Sequence, residues 1–346
     1  MTPAPGMPTL HIPIDHHSAV HVAAAQARDV ARACSLPGAL PDRAAVLASE
    51  LASNIDKHAR NGAIYLQPAA AGSGMDIIGV DHGPGIADIG LSFTDGYSTT
   101  NTLGAGLGAV RRIATDFTIR SEAEYGTLAH AWIADPRLTR QPPAAVGALC
   151  LPASGQRQCG DSYAVVGHGR AWTGLVLDGL GHGPEAAMAV QRAVRTFRPL
   201  ADHGLAEILT AIDRALRHTR GAAAAAVRVH GDRAEYCGIG NIRALALSPQ
   251  GVQQQLTGQP GTVGYNMPTP RTRTLQWHGR DSVALVHTDG VDHKWTWDAS
   301  PAYLRLPPSL MVASLLHSHR RRRDDATALA FGSSQGVTCL ATPSVP

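Results

Sequence analysis

The sequence lacks a disulfide framework: its five cysteines, Cys34, Cys150, Cys159, Cys237 and Cys339, form no CxxC pair and no zinc spacing. An odd number of unpatterned cysteines suits reduced thiols in a cytoplasm. No apolar run approaches the ~20 residues that a membrane helix needs. Residues 1–13 have neither the basic start nor the apolar core of a signal peptide. The expectation is a soluble, cytoplasmic protein with no membrane partner. Excess charge is also missing, since 30 Lys and Arg against 27 Asp and Glu leave a formal net charge of +3, too little to imply nucleic-acid binding. The one dense basic cluster, at 320–323, runs straight into Asp324 and Asp325. It reads as a solvated helix end, or else as a dock for an acidic or phosphorylated partner. His16-His17 and His317-Ser318-His319 sit on no recognisable ligand scaffold and read as solvated surface histidines. There is no repeat of fixed period, and no GxxxxGK[ST], so this is not a P-loop protein.

What is present suits two domains, as the length of 346 residues allows. Residues 1–134 form the first unit, 135–145 a proline-bearing linker and 146–346 the second. After an extended arm, alanine-rich sequence predicts a helix over 15–33, capped by Asp15 or Ser18. A second helix is expected from Asp42, as its cap, to about 59, with Val46, Leu47, Leu51 and Ile55 on its apolar face. Strands follow at 63–67 and 75–80, a lid-like polar loop at 88–103, a helix opened by 104–108, and strands at 116–121 and 127–133. Beyond the linker the pattern turns to strands at 146–152, 162–166, 171–178, 223–229, 234–238, 242–247, 282–287 and 327–331. Helices are expected at 184–197, 205–218 and 308–318.

Two constellations carry chemistry. In the first, Glu50 and Asn54 lie four apart on one helix face, with Lys57 a turn on. Asp81-His82-Gly83-Pro84-Gly85 is an acid-then-glycine turn at a strand end, and Gly104, Gly106 and Gly108 open a helix. A buried carboxylate can accept from an exocyclic amine, and glycine backbone at a helix N-terminus can wrap phosphates. An amide such as Asn54 can help hold Mg²⁺, and Glu50 can orient or deprotonate an attacking hydroxyl. In this order the motifs resemble the GHKL ATPases, and among them RsbT-type and anti-sigma-factor serine kinases. Residues 50–55 match the N box, 81–85 the first glycine box, and 95–99 with 104–108 the lid. The resemblance covers about residues 15–133. It implies a GHKL (Bergerat) α/β sandwich, a mixed sheet covered on one face by helices. It also implies ATP or ADP with Mg²⁺ as ligand, Asn54 as Mg²⁺ ligand, Glu50 as catalytic base, Asp81 as adenine anchor, and Lys57, Gly83, Gly85, Gly104, Gly106 and Gly108 as nucleotide-binding positions.

The second constellation begins at an apolar run, residues 175–177, that ends in Asp178-Gly179-Leu180-Gly181-His182-Gly183. A carboxylate at the mouth of a buried strand must be paired, hydrogen-bonded or bound to a cation. By itself Asp178 reads equally as the cap of the next helix. It has companions in Gly160-Asp161-Ser162, Thr288-Asp289-Gly290 and Asp324-Asp325-Ala326-Thr327, and carboxylates at several strand ends suit Mg²⁺ or Mn²⁺. Two such ions ~3.5–4 Å apart can share a hydroxide poised for in-line attack on phosphorus. With Arg220-Gly221-Ala222 and Gly238-Ile239-Gly240-Asn241-Ile242, these motifs resemble the SpoIIE and RsbX-like branch of the PPM-type serine/threonine phosphatases, over about residues 146–331. The resemblance implies a PPM-type β-sandwich flanked by helices (αββα) and two Mn²⁺ or Mg²⁺ ions. Asp178 would bridge them, Gly179 would lend a backbone carbonyl, and Asp161, Asp289 and Asp324 would bind one ion or the other. Asp325 is the neighbour that competes with Asp324 for its role, and His182 reads as a turn residue. The chain is thus an α+β protein.

Together the resemblances imply a bifunctional partner-switching regulator. A kinase module and a metal-dependent phosphatase would act on seryl or threonyl residues of a STAS-domain protein, with a sigma or anti-sigma factor as further partner. Two other readings remain open. The first is an ATP-gated phosphatase without kinase activity. The second is a module that sequesters a sigma factor or STAS protein in an ATP-dependent way. Coupling between the halves is expected at the lid or the linker.

Overall fold

The computed structural model describes residues 8–86, 88–90, 93, 106–138, 145–168, 171–231, 233–276, 282–297 and 299–332. Most of the expected lid and Gly104 lie outside these residues, as does most of the linker.

The N-terminal sheet runs β1-β2-β3-β5-β4, from β1 (Leu10–Ile14), β2 (Gly62–Pro68), β3 (Met75–Val80), β4 (Asp116–Glu122) and β5 (Gly126–Ile133). The expected arm is therefore partly a strand, zipped onto β2 from Leu10↔Leu66 to Ile14↔Gly62 with Ile12 and Ile14 buried. Every described pairing in this sheet is antiparallel, which corrects the expectation of a mixed sheet. Helices α1 (Ser18–Ala33) and α2 (Leu40–His58) cover one face, and the short α3 (Gly106–Ile113) follows the lid region. Neither expected cap forms: His17 and Ala39 occupy the N-cap positions without side-chain hydrogen bonds. Asp42 lies inside the first turn of α2, where its charge still favours the helix dipole. Val46 is 44% exposed and leaves the apolar face, which consists of Leu47, Leu51 and Ile55 with Ala44, Ala48 and Ala52 between them.

Two further five-stranded antiparallel sheets form the rest. One runs β13-β10-β9-β8-β7, from β7 (Asp161–His168), β8 (Ala171–Gly179), β9 (Ala222–His230), β10 (Arg233–Ile239) and β13 (Arg273–Leu275). The other runs β12-β11-β14-β15-β6, from β6 (Val146–Leu151), β11 (Arg243–Ser248), β12 (Gly251–Thr257), β14 (Val283–His287) and β15 (Ala326–Gly332). Their facing sides share one core, with Val176, Val227 and Tyr236 against Val286, Leu329 and Phe331. Helices α4 (Pro184–Phe197) and α5 (Leu205–Leu216) pack outside the first of these sheets. Strands β12 and β13 escape sequence reading for a physical reason. Both lie at sheet edges, and Gln253 to Gln255 leave β12 without an apolar alternation to detect.

The helix α7 (Pro308–His319), preceded by the single turn α6 (Pro301–Leu304), sets the arrangement of the whole molecule. Its Leu310, Met311, Val312, Ala313, Leu315 and Leu316 are all buried, so it is apolar on every side, as a helix enclosed from both sides must be. On one side it meets Leu149, Leu285 and Ala328; on the other it meets Tyr65, Ile78 and Leu128 from the outer face of the N-terminal sheet. The layers thus run helices, sheet, α7, sheet, sheet, helices. Among the described residues no helix is long and apolar enough to cross a membrane.

Candidate nucleotide and metal sites

On α2, Glu50 and Asn54 are both half-buried on one face, and Lys57 is exposed one turn on. Burial raises the Glu50 carboxyl above the usual range, and the nearby Lys57 ammonium opposes that rise. Asp81 caps the end of β3. Its Oδ1 accepts from Gly83 N at 2.7 Å and Thr127 N at 3.2 Å. Both bonds fall on one oxygen, so Oδ2 is the one placed to accept from a ligand amine. Burial raises this carboxyl too, against those two N–H groups. Gly126 is glycine for a visible reason: at φ +80° its Cα presses on the Asp81 carbonyl, and a Cβ there would collide with it. Gly83 and Gly85 lie in the turn after Asp81, and Gly106 and Gly108 in the first turn of α3. These donors fit a purine nucleotide in chemical type.

The acidic set gathers at the ends of four strands. Asp161 opens β7 directly across from Asp178 on β8; Asp289 follows β14; Asp324 and Asp325 precede β15. Asp178 feels this crowd: burial, then the charges of Asp289, Asp324 and Asp325, push its carboxyl from 3.8 to about 7. Asp161, fully enclosed and facing Asp178, is pushed well above the usual range. Yet among the described residues no three acidic, histidine or cysteine side chains converge on a single point. The two facts agree physically. Like charges within Coulombic reach repel, and neutral hydrogen-bond donors screen them, with Asn241 reaching Asp178 as well as Asp289. Asn241 Nδ2 donates to Asp289 Oδ2 at 2.6 Å, and Thr288 Oγ1 to Asp161 Oδ2 at 2.7 Å. Hard carboxylate oxygens concentrated around a carboxyl this reluctant to ionise fit a divalent cation in donor type. Asn241 and Thr288 belong to two of the motifs read from sequence, but no role was assigned to either.

The structure separates Asp324 from Asp325. Asp325 is buried, and its two oxygens accept from Ala153 N and Gly160 N, both at 2.8 Å. It brackets the loop between β6 and β7. Among the described residues Asp324 accepts from the N–H of Asp325, and burial, then the charge of Asp289, raises its carboxyl. Asp325→Ala should therefore cost about 2 kcal/mol in a denaturant titration of the metal-free protein, because it orphans two backbone N–H groups. Asp324→Ala should cost nothing there and reduce metal affinity instead. Equal losses for the two variants would contradict the division.

Around this cluster, the carbonyl of Gly179 starts the turn after Asp178, and His182 is exposed within that turn. Arg220 pairs with Glu185 of α4 and lies against Gly181, which fastens the turn to the helix behind it. The Cys150 and Cys159 thiols lie 3.4 Å apart, unbonded, behind Asp161.

Comparison with known proteins adds four findings. The sequence profile of the family Stage II sporulation protein E (SpoIIE) matches residues 168–332. The serine/threonine-protein kinase RsbT of Bacillus subtilis (strain 168) is 44% identical over 81 residues, 23% of this chain; the chain spans 61% of RsbT's length. The phosphoserine phosphatase RsbX of the same organism is 26% identical over 154 residues, covering 41% of this chain and 72% of RsbX. Among solved structures, one described as "The bacterial stressosome: a modular system that has been adapted to control secondary messenger signaling" aligns with 30% identity and a TM-score of 0.49, over 54% of this chain and 97% of that one.

Proposed function

We propose, from the premise that residues 168–332 are a SpoIIE-type phosphatase domain homologous to RsbX and that the N-terminal part is homologous to RsbT, that this chain both adds and removes one phosphoryl mark on a STAS-domain protein. The observation that carries the eraser half is the crowding of Asp289, Asp324 and Asp325 around Asp178, which holds its carboxyl near neutrality until a cation arrives. When bound, a pair of Mg²⁺ or Mn²⁺ ions supplies a hydroxide at near-neutral pH and draws charge from the phosphoryl oxygens. The chain's part is to hold and orient. Asp178 is central to the acidic set, Gly179 offers its carbonyl, and Asp289 and Asp324 close the set. Asp161 stands behind Asp178 and is oriented by Thr288. Asp325 keeps the β6–β7 loop in place.

In the writer half, Asp81 Oδ2 would receive the amine of adenine and Asn54 would help hold Mg²⁺. Glu50 would take the proton of the attacking seryl or threonyl hydroxyl. Its raised pKa suits it to that task, because a base works best when its pKa approaches the working pH. The test is to incubate the full chain with ATP, Mg²⁺ and Mn²⁺ and a STAS-domain protein carrying the acceptor serine. Glu50→Ala should slow phosphorylation by about 100-fold or more, the contribution of a positioned base, and leave dephosphorylation of a pre-phosphorylated partner intact. Loss of dephosphorylation alone would favour the ATP-gated phosphatase. A stable nucleotide-dependent complex without phosphoryl transfer would favour the sequestering module.

A further inference from the structure

We propose that the end of α7 and the segment leaving it, residues 317–325, link the two sites, so that a nucleotide bound near Asp81 and divalent metal bound near Asp178 change each other's affinity. The inference rests on the functional reading above and adds its regulation. It also moves the coupling away from the lid and linker, where the sequence would place it.

His317 is not a solvated histidine. Its Nε2 stands 2.8 Å from the Asn61 carbonyl, which can only accept, so Nε2 carries the proton and donates. In the neutral ring Nδ1 must then accept, and the Tyr65 hydroxyl donates to it at 2.9 Å. Burial keeps the ring neutral by pulling it to about 4. The ring also stacks at a tilt on His82, with centroids 5.0 Å apart, and Ser318 Oγ reaches His82 Nε2 at 3.4 Å. His82 is the residue after Asp81, and its N–H reaches the Arg60 carbonyl at 3.4 Å. Asn61 follows the end of α2, the helix of Glu50 and Asn54. The end of α7 therefore touches both loops that flank the nucleotide site. Arg320, expected in a solvated basic cluster, instead lies against His11 of β1 at 3.2 Å.

The other end of the same segment grips the metal site through its backbone. The His319 carbonyl accepts from Asp292 N at 2.9 Å, and Arg321 N donates to the Gly290 carbonyl at 2.7 Å. Asp324 N donates to the Arg321 carbonyl at 3.0 Å, and Asp324 is itself one of the acids, with Asp325 next to it. The Asp289–Asp292 loop is tied to 319 and 321, so a shift of that loop on metal binding would pass to this segment. Behind the segment α7 is buried from Leu310 to Leu316, which leaves the helix little room to move. A single segment that touches a binding loop of each site gives the two a contiguous route for linkage.

The experiment uses the full chain and a fluorescent ADP analogue, with Mg²⁺ fixed, titrated with and without saturating Mn²⁺. The same titrations on Asp178→Asn subtract any effect of metal at the nucleotide itself. In the wild type Mn²⁺ should shift nucleotide affinity by about five-fold or more, the lower end of ordinary allosteric coupling. His317→Gln should reduce that shift below about two-fold without changing nucleotide affinity in the absence of Mn²⁺. His82→Ala, at an exposed position, should weaken it in the same direction should the buried variant fold poorly. Hydrogen exchange supplies a second readout, since nucleotide should alter protection of the amides at 319–325. An unchanged nucleotide affinity on adding Mn²⁺ to the wild type, with both ligands shown to bind, overturns the linkage. Failure of either ligand to bind at all overturns the functional reading, and the linkage falls with it.

Discussion

Asp178→Asn should abolish Mn²⁺-dependent dephosphorylation and at the same time make the metal-free protein more stable at neutral pH. The loss should be at least about 100-fold, the most that removal of a mere outer-shell partner costs at a metal site. The gain follows from linkage. The Asp178 carboxyl titrates near 3.8 when unfolded and at about 7 when folded. Between those values the folded state holds the proton more tightly, so the contribution of this group to stability falls as pH rises from about 4 to about 7, then levels. By pH 7.5 the accumulated penalty is roughly 4 kcal/mol at most. Asparagine cannot ionise and avoids it. Urea titrations without metal should therefore separate the two proteins at pH 7.5 and bring them together near pH 4. With Mn²⁺ at pH 7.5 only the wild type should be stabilised further. A variant no more stable than wild type at pH 7.5 would mean that the acids do not crowd Asp178 at all.

The expectation that one substitution removes catalysis and adds stability is also the reason the acidic positions stand out in the sequence. Asp178, Asp289 and Asp324 stand at strand ends beside glycine or a second acid, where stability alone would favour an uncharged residue. The Asp-Gly patterns record that conflict, and the strands that carry them are short apolar runs easily seen. The neutral donors that serve the acids, Asn241 and Thr288, lie inside two of the motifs but break no such rule, and nothing in the sequence sets their role apart. The N-terminal motifs were legible for a similar reason, since Glu50, Asn54 and Asp81 place polar groups on otherwise apolar elements.

The contacts between the halves were not legible. A helix apolar on every side looks from sequence like any buried helix, and nothing in residues 308–319 tells whether one sheet or two enclose it. The two sheets are distant in sequence, so their pairing through α7 is a non-local choice that local patterning does not encode. The same blindness affected His317 and Arg320. Arg321, Arg322 and Arg323 are exposed, as expected of a helix end, but the outer face of the N-terminal sheet partly covers His317 and Arg320. β1 was missed likewise: residues 10–14 become a strand only because the edge of β2 is there to receive them.

Gly290→Ala should cost the phosphatase half nearly as much as losing a ligand, although Gly290 offers no side chain to a metal. It is buried immediately after Asp289, and a Cβ there would overlap the Asp325 carbonyl and press on the Ala326 Cα, all backbone atoms. Its own carbonyl accepts from Arg321 N. The loops bearing Asp289 and Asp324 therefore meet main chain to main chain, and only glycine permits that approach. One methyl group must push them apart. The expected cost is about 3 kcal/mol in thermal or urea unfolding, the upper range for overpacking. Metal affinity should fall by about 10- to 100-fold, as for loss of a supporting contact at a metal site. Gly183→Ala is the matched control. Its φ of +85° strains any side chain, but nothing lies within 4 Å of its Cβ position. It should cost about 1–3 kcal/mol of backbone strain, because its φ and ψ lie where glycine alone is at ease, and leave metal affinity unchanged. Equal metal affinities of the two variants would show that the acidic loops do not touch. The crowding at Asp178 would then need another cause, because it depends on those loops holding Asp289 and Asp324 on one side of β8.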